Sequence, residues 1–219
     1  MFGPLMAAEG RQEEKFRSSV FSALNATFGT GLASTDAPTA YDVTTPLIHI
    51  YNGDTTLKQW ILLDHLFLRV TAVNTAATSF HLQFTKRNGN TYSSGGTALT
   101  PVNLGGNATS LITAQRASIA TIYFGVLVAT AAAATYDRIV WRQQVRDVIF
   151  AVDDTVEVLF GEGQTGTHGT TTDATSKTVR VPPMWVGPLE SLQIHAIAPS
   201  QSADPAFEPS LAWIERPAP

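Results

Sequence analysis

The residues of this chain that could do chemistry are scattered along it. Its five histidines are His49, His65, His81, His168 and His195. No two of them have the helical or close strand spacing of zinc ligands with a carboxylate nearby. His81 and His195 occupy polar positions of alternating segments, which indicates solvent-facing or hydrogen-bonded side chains. We therefore predict no metal site and no cofactor.

The acidic residues do not form a recognisable acid–base pair. Asp153 and Asp154 are adjacent, and adjacent residues of a strand point to opposite faces, so we predict a plain turn in preference to a calcium or acid–base site. Asp204, Glu208 and Glu215 are the candidates for a glycosidase pair, although carboxylates are too common for their spacing to indicate one. A hydrolase remains an alternative that only a convergent carboxylate pair in a cleft would support.

Motifs for nucleophilic catalysis and phosphate binding are missing from the sequence. There is no cysteine and no Gly-x-Ser-x-Gly segment. Residues 161–166 match the letters GxGxxG, but they enter a threonine-rich segment where a phosphate-binding motif would enter a helix. We predict that the protein is not an enzyme.

Arg138, Arg142 and Arg146 form the only regular basic series. On a strand or a helix they could share one side and meet acidic residues of a neighbouring subunit. The alternative is a solvated face, or one paired within the chain.

The four tryptophans lie in apolar runs, which favours burial in the core or at an interface over the alternative of sugar-stacking platforms. They are Trp60, Trp141, Trp185 and Trp213.

Composition narrows the class of protein. The chain has 219 residues, of which 44% are hydrophobic, and this suits one large all-β domain or a domain with an extension. A net charge of −4 gives no reason to expect a nucleic-acid partner. The longest apolar segment, 119–134, is interrupted by polar residues and glycine, so we predict no membrane span.

The N-terminal region differs from the rest of the chain. Phe16, Val20, Leu24 and Phe28 recur every four residues, which predicts an amphipathic helical stripe. Either an arm, helical or extended, grips a neighbouring subunit with these residues, or a short helix packs on its own domain. Residues 29–45 are typical of a linker. We therefore divide the chain into an arm with linker, 1–45, and a β domain, 46–219.

The β domain is predicted from alternating and β-branched segments. Phe80, Leu82 and Phe84 alternate with polar residues, which predicts one buried and one solvated face. Residues 138–152 fit a helix or a strand, and their continuation around 153–154 favours strands flanking a turn. Residues 93–110 and 161–177 are predicted as loops. The other predicted strands are 47–51, 60–73, 119–128, 178–181, 191–197 and 210–214. Eight to ten strands predict an antiparallel β-sandwich.

Residues 181–216 resemble the endings of small structural proteins from tailed-bacteriophage virions. The resemblance rests on Val181-Pro-Pro, Val186-Gly-Pro188, Ser191-Leu192, His195, Ala198–Ser202, Pro205–Glu208 and Trp213–Arg216. It implies a jelly-roll-like decoration or minor capsid protein on the phage head, a trimer bound to the major capsid protein or other virion proteins. It carries over no functional residues.

We therefore expect a non-enzymatic virion protein, assembled in the host cytoplasm, that cements the head shell. The alternatives are a tail or fibre component that binds host glycans through tryptophan and the 161–177 loop, and a portal or neck connector.

Overall fold

The computed structural model describes residues 20–27, 29–33, 41–73, 80–104, 117–130, 138–146, 150–161, 166–168, 176–197 and 206–217. Within these residues the chain forms fifteen strands, several of only two or three residues, and no helix. The larger sheet contains β1 (Val20–Leu24), β2 (Leu32–Ala33), β4 (Gln59–Ala72), β7 (Val102–Asn103), β10 (Thr155–Phe160), β11 (Gly166–His168), β12 (Ser176–Val181), β13 (Trp185–Val186) and β15 (Ala206–Pro217). The smaller sheet contains β3 (Ile48–Asn52), β5 (Phe80–Asn88), β6 (Tyr92–Leu99), β8 (Ala120–Ala129), β9 (Arg138–Arg146) and β14 (Glu190–Ile197).

Both sheets are mostly antiparallel. The larger one runs β11-β12-β10-β4-β15-β1-β7, with β13 also paired to β4 and β2 to β15. The smaller one runs β6-β8-β3-β14-β5-β9. The exception in the pairing is β10 with β12, which is parallel. The long strands β4 and β15 form the centre of the larger sheet, with a β-bulge between Ala212 and Trp213.

The core lies between the two sheets. Phe80 of β5 contacts Phe207 of β15 with ring centroids 5.9 Å apart, and Phe84 of β5 meets Phe160 of β10 edge to face at 5.7 Å. All four rings belong to one cluster of buried apolar side chains. Each such side chain contributes about 1.5–3 kcal/mol when it is removed from water. The predicted all-β fold with sandwich-like packing of two sheets is confirmed.

The predicted helical stripe is wrong where the structure describes it. Val20–Leu24 is a strand, paired antiparallel with Ser210–Ile214 of β15. A spacing of four residues is compatible with both structures, because it keeps Val20 and Leu24 on one face of a strand as well as on one side of a helix. Phe16 and Phe28 lie outside the described residues.

Four further predictions need correction. Residues 93–99, predicted as loop, belong to β6, and Gly166–His168 of the second predicted loop pairs with β12. The predicted linker contains β2. The prediction that one face of β5 is solvated is also wrong, because Gln83 and Thr85 are fully buried.

Gly95 marks a bulge where β6 crosses β8. Its φ is 83°, and a Cβ there would lie 2.3 Å from the carbonyl oxygen of Val126. Gly89 has a similar φ of 76°, but no atom within 4 Å of a Cβ. Gly89→Ala should therefore cost about 1 kcal/mol of unfolding free energy, from backbone strain alone. Gly95→Ala should cost about 3 kcal/mol, because strain and steric overlap add.

Urea unfolding of the two variants beside the parent chain checks this difference. Equal losses would show that the β6 bulge relaxes around a methyl group.

Candidate functional site

Exposed apolar side chains gather at the β7–β1 edge of the larger sheet. Leu24 is 53% exposed, Val102 52% and Leu104 43%. Val102 pairs with Ser22 of β1, so its side chain lies on the same face as Leu24, and the Leu104 N–H donates to the Val20 carbonyl at 2.8 Å, which places Leu104 beside Val20. We call Leu24, Val102 and Leu104 the β1–β7 edge patch. Of the predicted arm residues, Val20 is buried beside this patch and Leu24 belongs to it.

The predicted arginine row does not share one side. In the β9–β5 pairing Arg142 lies opposite Gln83 and Arg138 opposite Lys86, which are on alternate faces of β5. A β-bulge between the two arginines shifts the alternation by one residue. Arg142 Nε donates to Gln83 Oε1 at 2.5 Å, while Arg138 is exposed on the edge strand. Arg146 ends β9, and its side chain lies outside the described residues.

The outer face of the larger sheet carries an ion-pair group. Arg69 contacts Asp153 at 2.7 Å and Glu208 at 3.0 Å, and thereby ties the turn before β10 to β15. His65 Nε2 lies 3.1 Å from Glu157 Oε1. These pairs are partly exposed, so solvent screens them and each contributes little to stability. Their arrangement fixes strands and does not enclose a substrate.

The carboxylates offered as catalytic pairs do not converge. Glu208 lies on the outer face with Arg69, whereas Glu215 is fully buried near Trp213. Asp204 lies outside the described residues. Asp153 and Asp154 form the predicted turn, with the Asp153 φ at 71°.

A buried polar cluster lies on the outer face of the smaller sheet. It contains His49, Arg87, Thr91, Ser191, Gln193 and His195, each at most 2% exposed. The segment 41–45 contributes to its cover: Tyr41 meets the His195 ring edge to face at 5.0 Å. The Thr44 carbonyl accepts from the Ala129 N–H at 2.8 Å, which fastens this segment to β8.

Hydrogen bonds join the cluster internally. His49 Nε2 lies 3.0 Å from Thr91 Oγ1, and Ser191 Oγ donates to the Gly89 carbonyl at 2.8 Å. The Gln193 amide is best oriented with its oxygen toward Thr91 Oγ1 (3.1 Å) and its nitrogen toward His195 Nε2 (3.3 Å). His195 Nε2 is then an acceptor, and its proton resides on Nδ1.

Burial keeps both histidines neutral. The pKa values of His49 and His195 are lowered from 6.5 to about 4, chiefly by loss of hydration and further by the positive charge of Arg87. The Thr45 backbone and the Asp42 carboxylate raise the pKa of His195, but by less than burial and Arg87 lower it. The His49–Thr91 pair has the groups of a base and a hydroxyl, but both side chains are shielded from solvent. The cluster therefore acts as a structural element.

The sequence predicted a solvent-facing or hydrogen-bonded His195; the structure buries it fully and places its Nε2 3.3 Å from the Gln193 amide nitrogen, so only the solvent-facing alternative is wrong. Polar residues at alternate positions of β14 indicated the outer face of a sheet. The residues of β14 do not indicate that segment 41–45 covers this face. Among the described residues, no group of three or more histidines and carboxylates could hold a metal ion.

Two of the four tryptophans are in the core as predicted. Trp213 is 0% exposed and Trp141 9%. Trp60 and Trp185 are instead half-buried and lie side by side on the outer face of the larger sheet, with ring centroids 6.4 Å apart.

The chain has no significant match among protein-family models, curated proteins or solved structures. In the part of the chain that the structure describes, no helix has the length and apolar character needed to cross a membrane.

Proposed function

We propose that this chain is a non-enzymatic structural protein of a tailed-bacteriophage virion, which decorates and cements the head shell. The observation that carries the proposal is the β1–β7 edge patch. Apolar side chains that lie exposed together on a sheet mark a surface for another protein chain, because their burial against a partner removes apolar area from water.

The partners in this proposal are further copies of the chain and the major capsid protein. A homotrimer would bring three edge patches to one three-fold axis. Arg138 and Ile139, both exposed on the edge strand β9, give a second surface for contact with the shell. A jelly-roll topology, an N-terminal arm and assembly in the host cytoplasm belong to the same proposal.

Assembly should fail when charge is placed in the edge patch. Leu24→Asp and Val102→Asp bury a carboxylate in the subunit contact, so we expect the mass of the purified protein to fall from a multiple of 23.5 kDa to that of one chain. Val126→Asp is the matched control, because Val126 is 47% exposed on the smaller sheet. Light scattering measures the mass. A parent chain that is already monomeric would contradict the trimer.

Shell binding is tested with capsids assembled without this protein. We expect labelled protein to sediment with them saturably and to raise their resistance to heat. Unchanged capsids and no saturable binding would overturn the cement role.

A tail, fibre or neck component is the second candidate, favoured by the half-buried pair Trp60 and Trp185, which suits a glycan ligand. Immunogold labelling of intact particles separates the two, and a ring of about twelve copies at the neck would redirect the assignment.

A further inference from the structure

Trp60 and Trp185 form an aromatic corner on the outer face of the larger sheet. Trp60 of β4 pairs with Arg216 of β15, and Trp185 of β13 pairs with Leu62 of β4, so all four side chains lie on the same face. The planes of the two indoles meet at 77°. Edge-to-face packing uses the edge of one ring, and so the two rings do not cover one another face to face.

Charged groups surround this corner. The Arg216 guanidinium lies over one face of the Trp185 ring, 5.7 Å from its centre, so a sugar ring would stack on the other face of this indole or on Trp60. Glu190 accepts a hydrogen bond from the Gly187 N–H at 2.8 Å and lies 3.5 Å from the Lys86 ammonium. The Arg216 guanidinium, which has five N–H donors, and the partly exposed Glu190 carboxylate therefore lie next to the indoles.

Gly187 brings the carboxylate and the indole together. A Cβ on this residue would lie 3.0 Å from Glu190 Oε2 and 3.4 Å from Trp60 Cη2. Both groups therefore pack closely against Gly187, beside the 187–190 turn.

This combination matches the chemistry of a sugar ring. A pyranose has an apolar face of C–H groups, which packs on an indole, and a rim of hydroxyls, which needs donors and acceptors at the edge of the aromatic surface. A second half-buried aromatic pair lacks this character, because Tyr92 and Tyr123 stack on each other with ring centroids 3.6 Å apart and nearly parallel planes.

We propose that Trp60, Trp185, Arg216 and Glu190 form a saccharide-binding site that stacks a pyranose ring on an indole. The inference goes beyond the cement role, since it requires neither a capsid nor an oligomer. Arg216 donates to ring hydroxyls or to an acidic substituent, and Glu190 accepts from hydroxyls.

An array of immobilised oligosaccharides containing glucose, galactose, mannose, rhamnose and N-acetylglucosamine units identifies the ligand for the full chain. Titration of intrinsic tryptophan fluorescence with that oligosaccharide then measures its affinity. We expect Trp60→Ala and Trp185→Ala to weaken binding about tenfold or more. Tyr123→Ala is the matched control and should leave the affinity unchanged.

Arg216→Gln tests the same site without removing an aromatic ring, and circular dichroism confirms that each variant is folded. We expect a several-fold loss for this variant. Three results would each overturn the site: no oligosaccharide bound by the parent chain, equal affinity of the tryptophan variants and the parent, or a changed oligomeric mass for Trp60→Ala, which would assign this face to a subunit contact. Sedimentation of Trp60→Ala with capsids separates this site from the proposed function. We expect the variant to bind capsids as the parent chain does, because the saccharide site takes no part in shell binding.

Discussion

Acidification from pH 7 to pH 4 should lower the free energy of unfolding by several kcal/mol through the buried His49 and His195. Their pKa values are about 4 in the folded chain, against 6.5 for an unperturbed histidine. Between these values the unfolded chain binds protons that the folded chain excludes, so stability is full above about pH 6.5 and falls as the pH approaches 4. The shift corresponds to about 3 kcal/mol for each histidine.

The physical cause is the positive charge that protonation creates beside Arg87 in a space shielded from water. Asp42 is the carboxylate that faces His195 from the covering segment, and it offsets only part of this effect. We expect segment 41–45 to separate from β14 first, because its contacts to the cluster include the His195 ring. Hydrogen exchange at pH 5 should therefore increase at Thr44 and Thr45 before it increases in the core strands.

Urea unfolding at pH 7, 6 and 5 measures the effect, and His49→Gln with His195→Gln isolates it. Glutamine keeps a hydrogen-bonding group but cannot gain a proton, so the double variant should lose most of the slope between pH 6.5 and 5. His65→Gln is the control, because His65 is a partly exposed histidine paired with Glu157. An unchanged slope in the double variant would contradict the assignment. Below pH 4 a separate loss begins from Asp54, whose pKa is held at about 2 by Thr56 and neighbouring backbone N–H groups.

The strands that fill the core were predictable because their own residues carry the signal. Segment 60–73 is β4 almost to the residue, and 119–128 is β8, since both hold β-branched and apolar side chains whose burial stabilises the sheet. The turn at Asp153 was predictable for a similar local reason.

Features set by distant partners were not predictable. β6 is mostly exposed, and it is a strand because its backbone pairs with β8 around two glycines. Gln83 looked solvent-facing, yet Arg142 from β9 helps to cover it. A single bulge moved Arg138 away from the side of Arg142, and no residue in that segment signals it.

The aromatic corner shows the same limit for the candidate binding site. Trp60 and Trp185 are far apart in the chain, and the β13–β4 register brings them together. Each alone is typical of a core residue. Their common surface follows only once the pairing of a two-residue strand is known.

Trp213→Ala should be among the most destabilising single substitutions in this chain, lowering the free energy of unfolding by about 4–5 kcal/mol. Trp213 is fully buried and stacks on Phe21 of β1 with ring centroids 5.8 Å apart. Its removal leaves a cavity between β1 and the core. It also removes the indole N–H that donates to the buried Glu215 carboxylate at 3.1 Å.

The loss has two parts that a second variant separates. Glu215 also accepts from Ser118 Oγ at 2.6 Å and from the Ile119 N–H at 3.0 Å, and so it ties the segment before β8 to β15. Trp213→Phe keeps much of the packing volume but removes the indole donor, so it should cost about 1–3 kcal/mol, the effect of one lost hydrogen bond to a charged group. Urea unfolding followed by far-ultraviolet circular dichroism measures both variants. Equal losses in the two variants would show that the hydrogen bond to Glu215, and not the packing against Phe21, dominates at this position.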